Sequence, residues 1–256
     1  MTDHKILITG GSGKLAKAFS KEYSCNNPPK QELDVTDYHQ VRDYLQHHSE
    51  ISIIIHAGAL TSVTQCEQDK KLAYTVNVNG TKNIIRAIKE NNRYNSGSLR
   101  EIKLIYISTP CVFDGKTGNY DEDSLPQPEN YYGLTKYISE ELIKSSGLKH
   151  LIIRTNFVAK EEWAFPKAFT DRHGTYLFAK QVVNQLSYHL SNSEGIIHIV
   201  GKDRISMHTL AMITTPKVGK MTMNNFELLT KANPVKLTKD MSMISKRWHA
   251  TEIDRS

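Results

Sequence analysis

In the stretch NYYGLTKYISEEL, Tyr132 stands four residues before Lys136, at the start of a segment with helical apolar spacing. One helical turn puts a phenol and an ammonium at that separation on the same face. A phenol titrates near ~10, so a lone tyrosine is a poor proton-transfer group at neutral pH. A neighbouring ammonium favours the phenolate and lowers that value. The pair is therefore suited to moving a proton to or from an oxygen. Tyr131, one residue off the face, reads as a packing or entrance residue. Surface tyrosines ahead of a lysine are the bland alternative, since the spacing is common by chance. Thr109 ends the apolar run KLIYIST upstream, where a hydroxyl either satisfies the strand-end backbone or faces a ligand.

A second set of residues points to an anion. KILITG runs directly into TGGSGKLA, and an amphipathic segment, KLAKAFSKEY, follows. Gly10 allows a tight turn, Gly13 lets the backbone approach a pyrophosphate, and Ala16 is small enough for close helix–strand packing. The helix N-terminus that follows presents free N–H groups to a negative charge. A glycine-rich connecting turn is the simpler reading of the loop taken alone.

The elements that must position these residues alternate. Strands are expected at 5–10, 51–59, 103–109 and 150–156, and helices at 14–23, 72–92 and 131–146. The runs ISIIIHAGA and KLIYIST are continuously apolar, as in strands buried on both faces. Strands separated by helices imply right-handed β-α-β units and a parallel sheet. The fold class is thus α/β, a Rossmann-like doubly wound parallel sheet. Residues 1–157 would form the dinucleotide-binding domain and 158–256 a small substrate-binding lobe, with a strand at 195–201 rejoining the sheet. CNNPPKQ (25–31), where a second strand should fall, carries two prolines and is expected to be short or irregular.

The 256 residues suffice for one large domain with a small lobe, and 39% apolar with 23% charged residues is ordinary for a globular chain. No apolar run could span a bilayer, and the N-terminus lacks a signal pattern, so a cytoplasmic protein without a membrane partner is expected. Cys25, Cys66 and Cys111 follow no zinc or disulfide spacing, so no metal is expected. The net charge of +6 fits a lysine-rich surface or a basic cleft for anionic ligands, and no nucleic-acid-binding module is present.

The loop spacing Gly-x-x-Gly-x-x-Ala together with Tyr-x-x-x-Lys resembles the extended short-chain dehydrogenase/reductase superfamily. ELDVTD, HAGALTSVTQCE, NVNGTKNIIRAI, ISTPCVFDGKTGNYDEDSLPQPENYYGLTK and LIIRTN, in order across residues 5 to about 157, are similar to the dTDP-4-dehydrorhamnose reductase family. The resemblance implies an NAD(P)H-dependent oxidoreductase acting on the keto group of a nucleotide-activated deoxysugar. It implies that Gly10, Ser12, Gly13, Lys14 and Leu15 hold the cofactor pyrophosphate and that Asp34 and Val35 lie along the adenine. Ala57, Gly58 and Ala59 would pass under the nicotinamide ribose, which Lys136 would hydrogen-bond. Tyr132 would donate the proton to the carbonyl oxygen and Thr109 would stabilise the developing oxyanion. Thr61, Cys111, Asn156 and Phe157 would meet the substrate. Asn77 matches a structural position. Asp34 and Asp37 also read as helix caps. Relatives often form dimers through helices matching 72–92 and 131–146.

Where relatives have Ser-Thr-Asp-Tyr-Val-Phe, this chain has STPCVF, so Pro110 and Cys111 replace an acid and a tyrosine. The Asp-Glu pair of a dehydratase is missing. No acid marks the end of the second strand, while Lys14 and Lys30 could meet a ribose phosphate, which favours NADPH over NADH. Trp163, Phe165 and Phe169 could stack on a ligand, though core packing is their default. Two rival readings are a non-catalytic nucleotide-binding regulatory subunit and a sugar-nucleotide epimerase that keeps its cofactor.

Overall fold

The computed structural model describes residues 5–94 and 101–255. Five parallel strands form the central sheet: β1 (Lys5–Thr9), β2 (Ile51–His56), β3 (Lys103–Ser108), β4 (His150–Thr155) and β5 (Gly195–Ile199), in that spatial order. The expected late strand thus rejoins the sheet beside β4. Alternation along each strand builds two cores. Ile6, Ile8, Ile53, Ile55, Ile105, Ile107, Leu151 and Ile153 face one side, with Phe19 and Val183 of the helices Lys14–Glu22 and Ala179–His189. Leu7, Ile54, Leu104, Tyr106 and Ile152 face the other, under Leu45, Ile84 and Ile143 of Tyr38–His47, Gly80–Tyr94 and Tyr131–Lys144.

The CNNPPKQ segment forms a single bridge rather than a strand. Asn26 N–H donates to Ile6 O at 2.8 Å and Asn26 O accepts from Ile8 N–H at 2.9 Å. Pro28 and Pro29, which follow, have no N–H to extend the ladder. The expected single helix over 72–92 is three pieces. Lys70–Ala73 is α-helical, Tyr74–Asn79 is π-helical, and Gly80–Tyr94 is α-helical. Gly80 is accounted for by packing: a Cβ there would stand 2.9 Å from Val35 Cγ2.

Beyond β4 the chain makes short strands. His173–Gly174 pairs with both Ile205–Ser206 and Asp240–Met241, and Lys167–Phe169 pairs with Gly219–Met221. The last stretch then returns to the sheet. Glu122 accepts from His198 N–H of β5 at 2.9 Å, from Lys246 N–H at 3.0 Å and from the Ser245 hydroxyl at 2.5 Å. Residues 240–248 therefore bridge the β5 edge and the loop after β3.

Candidate active site

A cleft of about 630 Å³ opens at the C-terminal ends of β1 to β4, where a parallel sheet leaves room for ligands. The β1 loop forms one wall. Gly10 has φ +75°, and a Cβ on it would stand 2.7 Å from Gly58 Cα, so this residue must be glycine on both counts. Gly13 N–H donates to Gly10 O at 2.7 Å and closes the turn. Gly13 is also the N-cap of Lys14–Glu22 and offers no capping side chain. The first N–H groups of that helix are left for a ligand, which is the geometry an anionic phosphate requires.

The loop after β2 is fixed from beneath by a buried relay. Thr9 Oγ1 accepts from Gly58 N–H at 3.1 Å and donates to His56 Nδ1 at 2.7 Å; His56 Nε2 then donates to Thr81 Oγ1 at 3.1 Å, which donates to Asn77 O at 2.7 Å. This chain of donors requires a neutral imidazole. Burial and then the Lys136 charge hold His56 near 3, which keeps it so. Asn77, on the π-helical turn, accepts from Leu60 N–H at 2.7 Å and donates to Thr135 Oγ1 at 2.9 Å. It ties the β2 loop to the helix that carries Tyr132 and Lys136.

Thr109, Tyr132 and Lys136 line the middle of the cleft. Asn130 caps the helix of Tyr132 and Lys136 by accepting from Gly133 N–H at 2.9 Å. A Cβ at Gly133 would lie 2.0 Å from Cys111 O, so glycine brings this helix against the turn that follows β3. Thr109 Oγ1 also accepts from Cys111 N–H at 3.3 Å, which is the strand-end role; the residue faces the cleft as well. Tyr132 is 9% and Lys136 2% exposed. The expectation that Lys136 lowers the Tyr132 pKa is corrected here. Burial first, then Cys111 and Tyr106, push the phenol well above its usual value, against hydrogen bonding from Thr109. The Lys136 ammonium lies 4.0 Å from the centre of the Tyr106 ring. Burial draws its pKa down to about 7, opposed by Glu140 one turn further on. Beneath it Glu140 holds the buried Arg154, Oε2 to Nη2 at 2.6 Å, and accepts from the Ser108 hydroxyl at 2.5 Å. The arrangement provides a phenol that burial holds neutral beside a lysine whose charge burial disfavours.

Of the other residues singled out in the sequence, Ser12, Lys14, Leu15, Ala57, Gly58, Ala59, Thr61, Cys111, Asn156 and Phe157 line the cleft. Asp34 and Val35 lie outside that lining. Asp34 Oδ1 accepts from Thr36 N–H at 2.9 Å, and Val35 packs against Gly80. Lys14 and Lys30 both line the cleft and rest on Glu161 and Asp34. Trp163, Phe165 and Phe169 stand outside the lining; Phe169 packs edge-on to Phe226 at 5.6 Å. Arg172, Met207 and Met241, from the part of the sequence where motifs are weakest, line the cleft and were missed. The one sequence signal for Arg172 is a charge two residues before Gly174.

A parallel α/β sheet with a glycine turn feeding an uncapped helix, and a Thr/Tyr/Lys cluster across the same cleft, defines a Rossmann-type nucleotide-binding protein. Residues 4–174 match the model of the RmlD substrate-binding domain family, and the chain belongs to that family. It is 32% identical over 164 residues to the dTDP-4-dehydrorhamnose reductase of Aggregatibacter actinomycetemcomitans, covering 61% of this chain and 52% of the relative. It is 26% identical over 168 residues to methionine adenosyltransferase 2 subunit beta of Pongo abelii, covering 59% of this chain and 46% of that one. The chain thus spans about half the length of these curated relatives. Its fold matches the crystal structure of dTDP-4-dehydrorhamnose reductase from Bacillus anthracis in complex with NADP, with TM-score 0.84, 24% identity, and 97% and 95% of the two chains covered.

Proposed function

We propose that this protein is an NAD(P)H-dependent reductase of a nucleotide-activated 4-keto-deoxysugar, with Tyr132 as proton donor. One observation carries the reading: a single cleft holds both the uncapped Gly10–Gly13 loop and the Thr109, Tyr132 and Lys136 side chains. The names of its relatives support it, as does the NADP held by the Bacillus anthracis structure. The nicotinamide would supply hydride to the carbonyl carbon. Tyr132 gives its phenolic proton to the carbonyl oxygen as the C=O π bond opens, and Thr109 donates a hydrogen bond to the same oxygen. A phenol raised by burial is fully protonated at neutral pH, as a donor must be. Lys136 and the Gly10–Gly13 backbone hold the cofactor's ribose and phosphates. Lys14 and Lys30 at the rim favour NADPH over NADH.

Saturable enhancement of nicotinamide fluorescence on titration with NADPH, and weaker binding of NADH, is the expected result. Tyr132→Phe should then lower turnover of a 4-keto sugar nucleotide by at least a hundredfold while cofactor affinity stays within threefold, on the order of general acid catalysis. Unchanged turnover in that variant would sink the mechanism. The methionine adenosyltransferase subunit relative, with Pro110 and Cys111 beside Thr109, supports a second reading as a regulatory subunit. That reading predicts cofactor binding, no turnover on any nucleotide sugar, and a stable complex with an unrelated enzyme.

A further inference from the structure

We propose that Arg172 anchors an anionic group, a phosphoryl or carboxylate oxygen, on the ligand whose carbonyl meets Thr109 and Tyr132. Arg172 lines the cleft and is 8% exposed. Its Nε donates to Thr238 O at 2.9 Å and its Nη2 to Met241 Sδ at 3.3 Å. A guanidinium has five N–H donors, and a thioether is a weak acceptor, so most of this fork is uncommitted. Among the described residues no carboxylate lies within ion-pairing distance of it. Asp240, on the neighbouring strand, is taken by Arg204 at 2.7 Å and by the Ser242 hydroxyl at 2.7 Å, and Asp171 accepts from Met223 N–H at 2.9 Å. Arg154, more deeply buried at 1% exposure, is paired with Glu140. A buried cation without an acid is costly unless an anion arrives.

Asn156 lines the same cleft, but its Nδ2 is buried and turned to the Tyr176 hydroxyl. Gly174 admits it: a Cβ there would stand 2.9 Å from Asn156 Nδ2 and 2.8 Å from Tyr176 Cζ. The uncommitted donors of Arg172 therefore border one end of the cleft. That end adjoins the reaction centre, because Met241 Sδ lies 4.0 Å from Cys111 Sγ and Cys111 packs in one cluster with Tyr132. Arg172 thus belongs to the second ligand, across the cleft from the Gly10–Gly13 loop.

The inference builds on reading the cleft as a two-ligand site, and calorimetry tests it without turnover. Wild-type protein saturated with NADPH would be titrated with dTDP, thymidine, UDP-glucose and UDP-glucuronate, and the series repeated with Arg172→Gln. If Arg172 holds the diphosphate, dTDP binds at least tenfold tighter than thymidine and Arg172→Gln abolishes that difference. If it holds a carboxylate on the sugar, dTDP affinity is retained and a tenfold preference for UDP-glucuronate over UDP-glucose disappears. Either result supports an anion anchor. Identical profiles in the two proteins, or no anion-dependent binding in the wild type, would overturn it. Arg172→Lys, which keeps the charge without the fork, serves if the glutamine variant fails to bind NADPH; partial loss is expected. Failure of the wild type to bind either nicotinamide cofactor defeats the reductase reading instead, so the two failures are distinct.

Discussion

Lys136 is the residue on which burial and function meet. Its amine is drawn down to about 7 because the cleft floor desolvates it. A ligand that presents ribose hydroxyls and phosphate charge stabilises the protonated amine and raises that value. The sign follows. Below pH 7 the free and bound forms carry the same proton, so affinity is flat. Above it, binding takes up a proton, and the dissociation constant rises by up to about tenfold per pH unit. Fluorescence titration with NADH, which lacks the titrating ribose phosphate, from about pH 6 to 9 would show the break, and Lys136→Met should give a flat line. At this scale the sequence supplied Tyr132, Lys136 and Thr109. It could not supply the net direction of the tyrosine shift, because spacing reports proximity and says nothing of how far water is excluded.

The helix of Tyr132 and Lys136 and the turn after Thr109 carry the reacting side chains, and they meet at one defining contact. Gly133 is a glycine inside the first turn of a helix, a choice that costs about 1 kcal/mol relative to alanine and so needs a reason. The reason is Cys111 O, which a Cβ would strike. Gly133→Ala should push the helix off the turn after β3, lowering turnover by at least tenfold while NADPH binding through the Gly10–Gly13 loop persists. Steady-state kinetics beside a fluorescence titration would separate the two effects. The same helix carries Glu140, paired with Arg154 of β4 at under 3% side-chain exposure on both sides. Glu140→Gln leaves a buried guanidinium without its acid and should lower unfolding free energy by roughly 3–5 kcal/mol. Urea melts would measure it, and adding Arg154→Met should recover most of the loss. With Glu140 gone, the pH break in cofactor binding should move below 7, since Glu140 supports the charge on Lys136.

For the whole molecule, the histidines inside the sheet layers set acid tolerance. His56 is held near 3 and His198 near 4, in each case by burial first. Both are neutral in the folded chain and charge at their ordinary value when it unfolds. Between about pH 6.5 and 4 the unfolded state therefore binds more protons, and stability falls as pH falls, by roughly 1.4 kcal/mol per unit for each group. Thermal melts across that range should show the decline, with a smaller slope in His198→Gln. His198 belongs to β5, the strand to which Glu122 joins residues 245 and 246. Among the described residues no helix is long and apolar enough to cross a membrane.

The sequence by itself determined the parallel sheet, the glycine turn and the Tyr132–Lys136 pair, because each is written in local spacing: apolar runs of strand length, a glycine where the chain must turn, one helical turn between phenol and amine; Thr109 joined that pair through the family resemblance. Tertiary structure alone decided the rest. The CNNPPKQ segment became a single bridge because prolines cannot continue a ladder, and the long helix took a π turn that sets Asn77 between the β2 loop and Thr135. Arg172, Met207 and Met241 reached the cleft through pairings of two residues each, too short to leave a period in the sequence. Contacts between residues as far apart as Cys111 and Met241 have no local signature, and only folding brings them together.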